Sequence, residues 1–237
     1  MHLYPRFFDC AESAVLVDFG PQYDSLMIFQ VCELFGALKL PGVKETIPAL
    51  STLMIVYDPL EIARDRVLFE IERLCETRHP TRARGRTWDI PVVYGGKSGP
   101  DLQDVSRRLS LSEDKTVSLH TAQTYTVSML GFLPGFAYLG VLPKELRIPR
   151  RSSPRARVPA GSVAIAAEMT AIYPLESPGG WHLIGYTPFM PWDLKRQSEP
   201  LLRPGDQVSF RPIDFAKAEE LRRAWEAGSG PLFRGTA

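Results

Sequence analysis

Fourteen of the chain's 21 prolines lie between Pro91 and Pro212, in a sequence of 237 residues. Proline fixes φ, lacks a backbone donor and breaks helices, so a stretch this rich in it is limited to short strands, strand ends and turns. Apolar runs at Trp88 to Tyr94, Tyr125 to Gly131, Ser162 to Ala166, Trp181 to Gly185 and Gln207 to Phe210 are separated there by glycine and proline turns, the pattern of a β-barrel or sandwich. Two short helices interrupt it. One follows Gly99-Pro100 and carries Leu102, Val105 and Leu109, and the other is capped by Ser112. Asp214 caps a last helix whose stripe of Ala218, Leu221 and Trp225 is expected to dock on its own domain.

The first 80 residues carry a different pattern. Ser13 to Phe19, Val43 to Ile47 and Thr52 to Tyr57 read as strands. Asp24 offers an N-cap for a helix with Met27, Val31, Leu34 and Leu38 at helical spacing, and Asp58-Pro59 opens a second with Ala63, Val67, Ile71 and Leu74. The basic run ETRHPTRARGR, Glu76 to Arg86, reads as an exposed linker in preference to a nucleic-acid arm. The expected fold is therefore an α+β N-terminal domain over residues 1–80, a small ferredoxin-like α/β sandwich. A mainly-β barrel or sandwich over residues 88–212 follows, then a C-terminal helix and tail over 213–237.

Composition excludes several classes of function. Lys+Arg 28 against Asp+Glu 27 leaves a formal net charge of +1, so no global field attracts nucleic acid or an anionic membrane, and neither is expected as a partner. Cys10, Cys32 and Cys75 form an odd set without a C-x-x-C pair, which argues against a disulfide framework and a thiolate zinc site. The N-terminal apolar stretches are broken by Arg6, Asp9 and Glu12, and no run approaches the ~18 apolar residues of a membrane span. A cytoplasmic location is expected. With only His2, His79, His120 and His182 available, no metal site is expected either.

The segment GGKSG, Gly95 to Gly99, resembles the end of a P-loop, but Pro91 stands where the first glycine belongs, so it reads as a turn. Three other stretches suggest a site. The loop Gly131 to Gly140 bends at Pro134-Gly135 and displays Phe132, Phe136 and Tyr138. Arg147, Arg150, Arg151, Arg155 and Arg157 crowd into eleven residues, where planar donors can hold a carboxylate or phosphate by paired hydrogen bonds. From Tyr173 to Gly185, Pro178-Gly179-Gly180 lets backbone approach a ligand before Trp181 and His182. Each alone reads as barrel plug, solvated charge or hairpin. Together they predict a preformed, anion-tolerant pocket at one barrel end. His120, beside the first loop in sequence, is the candidate for proton transfer, with a core or capping histidine as the alternative.

Six motifs in register carry a family resemblance. IPVVYGG-x-x-GPDL, His120 before the strand, GF-x-PGFAYLG, PR-x-x-x-PR-x-x-VPAGSVAI, T-x-x-YPL-x-SPGGW-x-LIG-x-T and LLRPGD-x-V-x-F resemble the KipI and allophanate hydrolase subunit 1 family, which includes the B-type subunit of 5-oxoprolinase. The resemblance implies a cyclophilin-like barrel that works with a homologous C-type subunit and, in 5-oxoprolinase, a third A-type subunit. It further implies ATP shared with the partner subunit and a small amide or lactam ligand. The same family holds KipI, an inhibitor of a sensor histidine kinase, and one half of biotin-dependent urea and allophanate carboxyltransferases. A site over Phe132, Pro134, Gly135, Phe136, Tyr138, Arg155, Arg157, Tyr173, Pro178, Gly179, Gly180 and Trp181 follows, with His120 as catalytic residue. Two positions depart from the family. Met169 replaces a glutamine in the substrate-binding set, and Tyr186 stands where arginine or histidine is common.

Overall fold

The computed structural model describes residues 5–21, 25–77, 85–192 and 200–227. Asp24, His2, His79, most of the basic linker and the tail beyond 227 lie outside them. The chain divides into two units, Met1–Ala83 and Arg84–Ala237.

In the first unit, β1 (Arg6–Asp9), β2 (Ala14–Asp18), β3 (Val43–Ala49) and β4 (Thr52–Tyr57) form one antiparallel sheet in the order β1-β2-β4-β3, with α1 (Ser25–Gly36) and α2 (Arg64–Thr77) between and after them. Alternation along β2 and β4 turns Val15, Val17, Leu53, Ile55 and Tyr57 into one core with Val67, Ile71 and Leu74 of α2. Pro48 sits in β3, an edge strand, where a missing donor costs no ladder bond. The buried stripe of α1 is Ile28, Val31, Cys32 and Phe35, rotated from the expected Met27, Val31, Leu34 and Leu38. That helix is apolar on most sides, so its period alone does not choose a face.

In the second unit a closed seven-stranded barrel forms from β5 (Thr87–Tyr94), β6 (Tyr125–Leu130), β7 (Ala137–Gly140), β9 (Ser162–Ala166), β10 (Met169–Ile172), β12 (His182–Tyr186) and β13 (Gln207–Pro212), in the order β10-β7-β6-β13-β5-β12-β9. The β9–β10 hairpin closes it, and β13 alone runs parallel to a neighbour, pairing Val208 with Trp88 and Phe210 with Ile90 of β5. Every strand sends residues into one interior cluster, among them Ile90, Val127, Leu139, Ile165, Ile172, Ile184 and Val208. A separate two-stranded ribbon pairs β8 (Arg155–Val158) with β11 (Ser177–Gly179).

Helices α3 (Leu102–Arg108), α4 (Glu113–Thr121) and α5 (Phe215–Glu226) flank the barrel. Ser112 and Asp214 act as the caps read from sequence, accepting from Lys115 N at 3.1 Å and Lys217 N at 2.7 Å. Trp225 of α5 packs edge-on to Phe189, at 6.1 Å between ring centroids, within the barrel's own core cluster. No helix among the described residues is long and apolar enough to cross a membrane.

Candidate functional site

Successive residues of a strand point to opposite faces, and the barrel wall uses both. On β7, β9 and β10, Leu139, Val163, Ile165 and Ile172 face the interior, while Tyr138, Ala164, Ala166, Met169 and Ala171 join Phe136, Val158, Tyr173 and Trp181 in a second cluster. Val158 comes from the β8–β11 ribbon, so the ribbon covers the outer face of the wall.

A pocket of about 260 Å³ opens on this outer cluster. The loop after β6 supplies Phe132 and Phe136, β7 supplies Tyr138, and Tyr173 follows β10. Pro178, Gly179, Gly180 and Trp181 form the opposite wall, and Arg150 and Pro154 close the rim. The rings hold one another edge-on: Phe136 lies 4.9 Å from Tyr138, 5.1 Å from Tyr173 and 6.1 Å from Trp181, centroid to centroid. Each such pair adds about 0.5–1.5 kcal/mol beyond area burial, which favours this arrangement of rings without a ligand. Burial pushes the Tyr173 hydroxyl up to about 12 and the Tyr138 hydroxyl upward as well, so both stay protonated donors. Gly179 is required by packing, because a Cβ there would lie 2.3 Å from the Tyr173 hydroxyl. Gly135 combines φ +76 with a Cβ position 2.4 Å from the Trp192 side chain, which turns the loop back to present Phe136. Phe132 holds a left-handed φ of 70, uncommon for an aromatic residue, and stays 62% exposed at the mouth.

The three glycine- and proline-rich stretches thus meet, on the outer wall and not at a barrel end. The loop is also shorter than expected, since Ala137–Gly140 is strand β7. Pro134 and Gly135 shape the loop without lining the pocket. Met169 packs against the outer aromatic cluster but lies outside the lining, as does Tyr186.

His120 is placed elsewhere, which corrects the expected proton-transfer site. It is fully buried, its Nδ1 2.8 Å from the Tyr94 hydroxyl and its Nε2 3.0 Å from Thr170 Oγ1, with Phe210 stacked at 4.7 Å. Thr170 in turn donates to Ala164 O at 3.0 Å, so the chain of hydrogen bonds ends on backbone. Thr170 has the inward parity of Ile172, so the wall of the barrel stands between His120 and the pocket. Burial lowers the imidazole to about 3, which keeps it neutral.

Arg155 and Arg157 are likewise outside the lining. Arg155 forms a two-pronged pair with the buried carboxylate of Asp101, at 2.8 and 2.7 Å, and Arg157 pairs with Glu176 at 3.3 Å on the exposed side. Sequence reasoning passed over Asp101, which stands at the start of α3 where a carboxylate ordinarily caps. It makes no cap bond there and accepts instead from Arg155, Arg151 and the Leu183 backbone N–H. Burial raises its carboxyl, but the Arg155 and Leu183 hydrogen bonds and the two guanidinium charges outweigh this and hold it below the usual range. A larger depression of about 670 Å³ over α3 and α4 is walled by residues such as Gln103, Asp104 and Glu113 and has no aromatic ring.

The chain matches the family model "Carboxyltransferase domain, subdomain C and D" over residues 5–202. It belongs to this family. Among its relatives, the B-type subunit of 5-oxoprolinase from Escherichia coli O157:H7 is 41% identical over 209 residues, 87% of this chain and 95% of that protein. The corresponding 5-oxoprolinase protein of Bacillus subtilis (strain 168) is 37% identical over 213 residues, 84% of this chain and 89% of the other. The crystal structure of TTHA0988 shares the fold at a TM-score of 0.76 with 36% identity over 85% of this chain. This chain spans 40% of that protein's length.

Proposed function

We propose that this chain is the B-type subunit of a 5-oxoprolinase complex and that the outer-wall pocket receives the lactam. The observation that carries the reading is the aromatic cage of Phe136, Tyr138, Tyr173 and Trp181 in a chain of this family. Its apolar faces suit a small saturated ring, and protonated tyrosine hydroxyls suit a ligand's acceptor oxygens.

Opening an unactivated lactam needs its oxygen made part of a leaving group, and ATP supplies the phosphoryl group for that. This chain's residues bind and orient the ring. The cations expected to meet the phosphoryl charge, Arg155 and Arg157, are engaged by Asp101 and Glu176, and Gly96-Lys97-Ser98 lie in a turn. A homologous C-type subunit therefore supplies the groups that hold ATP, and an A-type subunit completes ring opening. The longer TTHA0988 chain, of which a segment like this one is 40%, fits a unit that works beside further domains. Three free thiols suit a cytoplasmic complex.

The test is ATP consumption by the chain co-purified with its A- and C-type partners. Turnover that depends on 5-oxoproline and on all three chains is expected, and Trp181→Ala should lower it at least tenfold. Inhibition of a histidine kinase by the chain alone, or a need for a biotinylated carrier, would instead favour the regulator or carboxyltransferase readings.

A further inference from the structure

We infer that Arg150 is the anion-binding residue of the outer-wall pocket, the group that holds the ligand's carboxylate. Five arginines crowd into residues 147–157, and four are neutralised. Arg147 pairs with Glu168, Arg151 and Arg155 with Asp101, and Arg157 with Glu176. Arg150 has no carboxylate partner among the described residues, and it is the charged side chain of the pocket lining. Its guanidinium carbon stands 5.9 Å from the centroid of the Trp181 ring. A guanidinium resting on a ring face keeps its in-plane N–H donors free, because the stacking uses its flat side.

The donor set around it is complementary. The Tyr138 and Tyr173 hydroxyls line the same pocket and have no hydrogen-bond partner among the described residues. A ligand seated among these rings would meet two hydroxyls and one cation, the set that a ring with a carboxylate and a second oxygen satisfies. The rim is also held in place. Arg151 donates its backbone N–H to Gly180 O at 2.8 Å while its side chain reaches Asp101, so the residue after Arg150 is tied to the turn carrying Trp181.

This inference rests on the pocket being the ligand site, and its test separates the two. Equilibrium binding to the assembled complex is measured with 5-oxoproline, with pyrrole-2-carboxylate and with the carboxylate-free 2-pyrrolidinone. The wild type should bind both carboxylates at least about tenfold tighter than 2-pyrrolidinone. Arg150→Gln should bring that ratio close to one, and Arg150→Lys should leave part of it, with melting temperatures unchanged. An unaltered ratio in Arg150→Gln, or no preference in the wild type, overturns the assignment. A complex that binds carboxylates through Arg150 but never turns over 5-oxoproline refutes the functional reading and leaves Arg150 standing.

Discussion

His120 shows how far a single residue's role depends on which way its strand neighbours face. Burial lowers its imidazole to about 3, while an unfolded chain presents one at about 6.5. Between those values the unfolded state binds more protons, so stability is fully present above pH 6.5 and is lost progressively as pH falls toward 3. Thermal denaturation across that window should therefore give a steeper loss of melting temperature for the wild type than for His120→Gln. His120→Ala leaves a cavity beside Phe210 and strips Tyr94 and Thr170 of a partner, and should cost ~2–4 kcal/mol in denaturant titrations. Carboxylate affinity of the assembled complex should stay within about twofold, because the wall separates this residue from the pocket. A tenfold loss of affinity with an unchanged melting temperature would return His120 to the site.

At the scale of elements, the pocket exists because a proline-rich strap and a two-stranded ribbon are pinned to a barrel wall. Asp101 is the pin, a positioning residue that gathers Arg151, Arg155 and the first part of β12. Asp101→Asn removes the charge that four donors from three residues converge on and should destabilise by ~1–3 kcal/mol, discounted because both arginines are partly exposed. Because its carboxyl is held below the usual carboxylate range, its contribution is present above pH ~3.9 and fades as pH falls through the lowered value. Urea midpoints measured between pH 7 and pH 3 should therefore fall less in the variant than in the wild type. Gly179→Ala drives a Cβ into the Tyr173 hydroxyl and should weaken carboxylate binding several-fold by displacing that ring. Gly131→Ala, whose Cβ meets nothing within 4 Å, is the control. The ribbon itself was not legible in the sequence: Arg155–Val158 alternates arginine with small or apolar residues, and its partner Ser177–Gly179 is three residues long. Such strands are defined by what they pair with, not by their own pattern.

For the whole molecule, the proposed subunit role predicts association with a partner chain. Size exclusion of the chain co-expressed with a C-type subunit should give a single peak containing both, and separate elution at micromolar concentration would remove the subunit reading. Much of this was legible from residues near one another in the chain. Gly-Pro turns between short apolar runs called for a barrel or sandwich, side-chain caps at Ser112 and Asp214 placed helix starts, and three glycine- and proline-rich stretches marked the pocket wall. These are local signals, set by φ restriction, alternation and capping over a few residues. Which arginine lacks a carboxylate partner among the described residues, which face of the wall the rings occupy and on which side His120 lies were decided by tertiary structure alone. Asp101 finds Arg155 54 positions away, and His120 finds Thr170 50 positions away. A charge is neutralised, and a histidine enclosed, by neighbours that only closure of the barrel brings within hydrogen-bond reach.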